Sequence, residues 1–178
     1  MPAKDEPMTY AEIVKFHGHT CPGLAIGYRM SVAALDALQS IRAEDEELVA
    51  IVENDACGVD ALQCLSGCTF GKGNLKFLDY GKQAYTFYSR ASGSGVRVLY
   101  HGAGVAQELR GDRPARIARI LSAEDAELLT ITKVEIPEPE PARIMQSRPC
   151  SACGERVMMS RLLSIAGKSL CIPCREEL

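Results

Sequence analysis

With 178 residues, 47% of them hydrophobic and 24% charged, the chain has room for one ordinary domain and a small appendage, and enough apolar material to bury a core without disulfides. A net charge of −3 excludes a whole-chain electrostatic footprint for nucleic acid or an anionic membrane, so any nucleic-acid contact has to be local. The N-terminal Met-Pro-Ala-Lys-Asp-Glu-Pro lacks the basic-then-apolar order of a secretory signal, and the most apolar stretch, Gly23 to Leu38, is broken by Arg29 and Asp36 and is too short for a bilayer span. A cytoplasmic protein without a membrane partner is expected, and in that compartment eight cysteines point to metal ligands or redox groups.

Thr9-x-x-Glu12 has the form of a capping box, and Ile13, Val14 and Phe16 behind it predict a short helix that stops at Gly18. Pro22 suits the first position of a second helix, with Cys21 at its N-cap and Leu24, Tyr28, Val32, Leu35 and Leu38 keeping helical period to Gln39. Leu48 to Glu53 reads as a buried strand and Val59 to Leu65 as a helix ending at Gly67. Leu75 to Tyr80, Gln83 to Ser89, Val96 to Tyr100 and Leu128 to Ile136 read as strands, and Arg113 to Leu121 and Glu124 to Leu128 as helices. Helices followed by hairpin-like strands predict an α+β fold, with helices on a mainly antiparallel sheet over residues 1–136. The proline-rich segment 137–147 reads as a stiff linker, and 148–178 as a separate module.

That module contains Cys150-x2-Cys153 and Cys171-x2-Cys174, a spacing that places four thiolates on one structural Zn²⁺. Two residues between thiolates let one tight turn present both sulfurs, and the few apolar residues between the pairs cannot form an independent core, so the metal supplies the fold. An ion closed off by four thiolates has no catalytic role. Arg148, Arg156, Arg161, Lys168 and Arg175 leave the module weakly positive, which reads first as a solvated face and second as a possible contact for phosphates. The module resembles the treble-clef zinc fingers, including the DksA/TraR type, although the few residues after Cys174 allow only a very short helix.

Two of the three histidines lie in Phe16-His17-Gly18-His19-Thr20-Cys21-Pro22-Gly23. Imidazole and thiolate are the side chains Zn²⁺ and related transition metals prefer, and a thiol at a helix N-terminus gains anion stabilisation from the free amides there. Asn54-Asp55-Ala56-Cys57-Gly58-Val59-Asp60 follows a predicted strand and adds a thiol and two carboxylates, with Cys64 and Cys68 further on. Cys64, in an apolar helix, reads as a small buried hydrophobe, whereas Cys57 and Cys68, beside glycines, read as ligands. His101 before Gly102 reads as a turn residue. Gly67-Cys-Thr-Phe-Gly71-Lys72-Gly73-Asn74 has the wrong spacing for a phosphate-binding loop and reads as a hairpin turn.

Phe-His-Gly-His-x-Cys-Pro-Gly-Leu-Ala at 16–25, Asn-Asp-x-Cys-x-x-Asp at 54–60 and Gly-Cys-Thr-x-Gly-Lys-Gly-Asn-Leu at 67–75 resemble the FmdE family of formylmethanofuran dehydrogenase components over about residues 8–135. The resemblance implies an α+β core that pairs into homodimers, a His/Cys metal cleft and, in some members, an added treble-clef finger. His17, His19 and Cys21 match its first motif, Cys57 and Asp60 its second, and Cys68 and Lys72 its third. No pterin site or iron–sulfur run is visible, so the chain does not carry out molybdenum or tungsten redox chemistry alone.

Three functions stay open. The first is a metal-binding accessory protein or enzyme beside a redox or one-carbon enzyme. Its core site uses His19, Cys21 and Cys57, helped by His17 or Cys68, around a second transition metal of the zinc type, and Cys21, Cys57 and Asp60 are its candidates for catalysis. The second is a regulatory module whose finger contacts protein or nucleic acid. The third is a thiol redox protein working through Cys21 and Cys57.

Overall fold

The computed structural model describes residues 8–105 and 107–177, which leaves the acidic N-terminal heptapeptide outside it. It divides into two compact units at Ala142/Arg143.

In the first unit, α1 (Tyr10–His17) starts at the expected capping box, where the Thr9 side chain accepts from the Glu12 amide and the Glu12 carboxylate accepts from the Thr9 amide at 2.8 Å. It ends where Gly18 turns into the left-handed region at φ 91°. α2 (Pro22–Leu38) begins at Cys21, whose sulfur accepts from the Leu24 amide at 3.3 Å. Its buried face carries Leu24, Met30 and several small residues, and packs on α3 (Gly58–Ser66), β4 (Ser94–Tyr100) and α4 (Arg113–Ser122). Arg29 of α2 donates to the Ile120 and Ala123 carbonyls at 2.7 and 2.6 Å, which satisfies the last carbonyls of α4 (Arg113–Ser122) and ties the two helices together.

A five-stranded sheet runs β2-β1-β3-β4-β5, with β1 Leu48–Val52, β2 Leu75–Phe77, β3 Ala84–Ser89, β4 Ser94–Tyr100 and β5 Leu129–Val134, which follows the one-turn helix α5 (Asp125–Leu128). β1 to β3, β3 to β4 and β4 to β5 are antiparallel, as the hairpin-like pattern predicts, and Gly93 at φ 64° turns β3 into β4. β1 and β2 are parallel and joined through α3 (Gly58–Ser66), so residues 69–74 form a crossover loop and not a hairpin turn. Asn74 holds that loop: its amide nitrogen donates to the Asp45 and Leu48 carbonyls at 3.0 and 2.9 Å, and its carbonyl oxygen accepts from the Thr69 amide at 2.9 Å. Lys72 donates to the Ala43 and Glu44 carbonyls, so it is engaged in the same clamp.

The proline-rich segment begins within the first unit. Lys76 donates to the Glu140 carbonyl, Arg90 pairs with Glu138 at 2.7 Å, and the Ala142 amide donates to Glu46 at 2.8 Å. The unit boundary therefore falls after residue 142, later than the composition break at Pro137.

The second unit consists of two antiparallel ribbons, β6 (Ser147–Pro149) with β7 (Arg156–Met158) and β8 (Leu163–Ile165) with β9 (Lys168–Leu170), and a short helix α6 (Ile172–Glu176). Cys150, Leu170 and Cys171 are its buried cluster, with Val157 and Cys174 packed against them.

Candidate metal centres

In the finger, Cys150 and Cys153 sit in the turn after β6, Cys171 caps α6, and Cys174 lies within that helix. Gly154, at φ 78°, releases the first turn toward β7. One ligand atom from each cysteine lies within 4.8 Å of all the others. The Cys150 sulfur accepts from the Ala152 and Cys171 amides, each at 3.4 Å, and such amides, that of Cys171 foremost, lower its thiol to about 6. The neighbouring thiols, Cys171 first, push Cys174 up to about 12. Sulfurs crowded this closely cannot all ionise unless a cation joins them, and that is the donor set a tetrahedral zinc takes.

In the core, the chain brings together His17, Cys21 and Cys57, again with ligand atoms within 4.8 Å of one another. The three stand at element ends: His17 closes α1, Cys21 caps α2, and Cys57 caps α3. What draws the two caps together is a contact between glycines. A Cβ on Gly27 would collide with the Gly58 backbone, and one on Gly58 would stand 2.5 Å from the Tyr85 hydroxyl. The N-terminal turns of α2 and α3 thus cross at backbone contact, and two helix ends bring their partial positive charge to two thiols.

His17 Nδ1 is 2.7 Å from a carboxylate oxygen of Asp60, and Nε2 is 4.0 Å from the Cys21 sulfur. A carboxylate on Nδ1 holds the proton there and leaves the Nε2 lone pair aimed at the sulfurs, the arrangement in which a carboxylate orients a metal-binding imidazole. Cys57 is exposed as a residue, but its sulfur lies against that of Cys21, and this partial desolvation, followed by the Cys21 thiol, pushes the Cys57 thiol upward. A tetrahedral zinc with sulfur and nitrogen ligands needs donor separations of roughly 3.5 to 3.8 Å, so the three atoms fit it with a small contraction and leave a fourth position.

Beside these residues lies a cleft of about 410 Å³, lined by His17, Cys57 and Asp60 and also by Asn54, Asp55, Phe70 and Phe77. Asn54 shapes its floor: the side chain donates to the Lys82 carbonyl at 2.6 Å and accepts from the Ala56 amide at 3.1 Å.

The remaining sequence candidates stand elsewhere. His19 is exposed and lies against His17 with ring centroids 4.5 Å apart and the planes tilted by 39°, outside the three-ligand group. Cys68 is fully buried, donates to the Leu48 carbonyl at 3.3 Å, and is raised to about 11 by burial. Cys64 is buried. His101 is exposed and accepts from the Ala103 amide at 3.2 Å. The aromatic walls Phe70 and Phe77 escaped sequence reading; the one signal was a phenylalanine set among glycines in 67–73, where core packing has little use for it.

Among the described residues no helix is long and apolar enough to cross a membrane. Residues 16–130 match the model of FmdE, molybdenum formylmethanofuran dehydrogenase operon, and residues 143–178 match the prokaryotic dksA/traR C4-type zinc finger. The chain is similar to a tungsten formylmethanofuran dehydrogenase FmdE-like protein of Syntrophus aciditrophicus, whose crystal structure superposes with a TM-score of 0.73 at 29% identity, covering 96% of this chain and 94% of that one. It is also 31% identical, over 90% of its own length, to an Archaeoglobus fulgidus protein described as a probable S-adenosyl-L-methionine-binding protein, and it spans about half (50%) of that relative. The chain belongs to the FmdE family and carries a C4-type zinc finger at its C-terminal end.

Proposed function

We propose that the core holds a transition metal of the zinc type on His17 Nε2, Cys21 Sγ and Cys57 Sγ, with the fourth position open to the cleft, and that the protein serves as an accessory or stand-alone FmdE-type protein in molybdenum or tungsten redox or one-carbon metabolism. One observation carries the reading: three ligand atoms from three different elements converge within 4.8 Å, with Asp60 on the far nitrogen of the imidazole. An imidazole and two thiols at such separation have a ready use as metal ligands, and an open fourth position is what separates a reactive site from a structural one. When bound, the metal supplies a Lewis acid at the mouth of the cleft; the chain supplies its orientation, through the Asp60–His17 bond and the two helix caps. Pairing into a homodimer, and a partner redox enzyme, belong to the same proposal.

Elemental analysis of the purified chain tests it. More metal than the finger alone accounts for is expected, and His17→Ala, Cys21→Ala and Cys57→Ala should each remove the excess. Asp60→Asn should weaken core metal affinity by about 10- to 100-fold, the usual cost of losing such a carboxylate. A wild-type chain carrying the finger zinc alone would sink the reading, and a reversible Cys21–Cys57 disulfide in its place would favour thiol redox chemistry. S-adenosyl-L-methionine, named for the Archaeoglobus relative, belongs in the same series as a titrated ligand.

A further inference from the structure

Resting on the core metal reading, we infer that the cleft beside His17 takes a cationic, amine-bearing ligand with an aromatic or apolar body, and rejects anions, with Asp55 as the counter-charge. A divalent ion on the Cys21 and Cys57 thiolates is neutral at that spot, and His17 adds no charge while Asp60 holds its Nδ1 proton. That leaves the charges of Asp60 and Asp55 uncompensated in the cleft, for no lysine or arginine is among its described lining residues. A concave site with one sign of charge focuses that potential and raises the local concentration of the opposite ion.

The walls agree with the charge. Phe70 and Phe77 line the cleft and remain 65% and 38% exposed, so their ring surface is available to a molecule in the cleft. A ring face is negative at its centre, so phenylalanine beside a carboxylate suits an ammonium or other organic cation and is indifferent to carboxylates or phosphates. Gln63, also on the lining, offers an amide that can pair with a neutral donor or acceptor. The competing force is the metal itself, whose open position would attract a carboxylate; two thiolate ligands cancel the ion's charge, and the acidic wall decides.

2-Phenylethylammonium, phenylacetamide and phenylacetate share a body and differ in charge, and calorimetric or saturation-transfer NMR titration of each into the zinc-loaded full-length chain tests the inference. Expected is the order ammonium, amide, acetate, with about tenfold or more between the ends, collapsing to about threefold or less in Asp55→Asn at unchanged zinc content. Acetate binding as tightly as ammonium, no binding of the ammonium, or an unchanged preference in Asp55→Asn overturns it. Zinc measured on the same samples separates the two levels: a chain loaded with the core metal that prefers acetate overturns this inference alone, whereas a chain holding no core metal overturns the site reading and this inference with it.

Discussion

The finger and the core solve opposite problems with the same side chains. In the finger the buried cluster is Cys150, Leu170 and Cys171, so two of its members are themselves ligands, and the ribbons around them leave Met158, Leu163 and Ile165 exposed. In the core, Cys21 is one member of a packed group with Ile13, Leu24, Ala61, Cys64 and Leu65, and a larger cluster lies behind it. On the proposed metal reading, folding precedes ligation in the core, which packs on its own, and depends on it in the finger, which has little to pack besides its ligands. The difference also sorts the chemistry, since a site whose ligands are the scaffold must be closed, while a site mounted on a finished scaffold can leave a position free.

The largest effect that could break this comparison is loss of the finger metal. Cys150→Ser should unfold residues 143–177 and leave the core transition unchanged, because structural zinc supplies on the order of 10 kcal/mol or more to such modules. Loss of dispersed NMR signals from the finger alone is the expected result; a collapse of the core signals as well would mean that the two units do not fold separately. Next in size is Gly27→Ala. Its Cβ would meet the Gly58 backbone, which no rotamer change relieves, so the α2–α3 crossing must open at a cost of about 3 kcal/mol in chemical denaturation. The finger should be indifferent to that change.

Proton competition sharpens the contrast. Metal displaces thiol protons, so affinity rises with pH until the thiols are already ionised. The finger unfolds without metal, so the amide bonds that lower Cys150 are present only in the folded form and all four thiols must give up protons on binding; its affinity should rise by up to about 10⁴-fold per pH unit below pH 8. The core stays folded without metal and has two thiols to ionise, Cys57 among them and shifted upward, so its affinity should rise by no more than about 100-fold per pH unit over the same range. Competition against a chromophoric chelator across this range reads both slopes.

Much of this was legible in the chain. Thr9, Cys21 and Gly18 announce the ends of α1 and α2 because caps are local, and the paired CxxC turns announce the finger for the same reason. What was not legible depends on distant approach. Nothing in His17-Gly18-His19 says which imidazole faces the thiols; that is settled by Asp60, distant in sequence, reaching Nδ1 from α3. The parallel β1–β2 pair was hidden because a short edge strand after a glycine loop has the same pattern in a hairpin, and the Gly27–Gly58 contact was hidden because a glycine inside α2 reads only as a weak helix former and one that opens α3 reads only as part of a turn.

Cys68 gives the smallest and most discriminating test. It stands in a motif matched to the family and beside a glycine, which favours a ligand from sequence, yet its sulfur is buried against β1, donates to Leu48, and holds its proton well above neutral pH. A thiol in that state behaves as a small hydrophobe with one weak hydrogen bond. Cys68→Ala should therefore cost about 1 kcal/mol of core stability, from the lost contact and a small void, and leave metal content unchanged. Cys57→Ala should do the reverse, since the residue is exposed and its value lies in the sulfur facing Cys21. Metal analysis alongside urea denaturation of the two variants reads both quantities. If Cys68→Ala strips the core metal while stability holds, the site draws on a sulfur that this structure keeps at Leu48, the opposite end of β1 from Cys57, and the three-ligand cluster is incomplete.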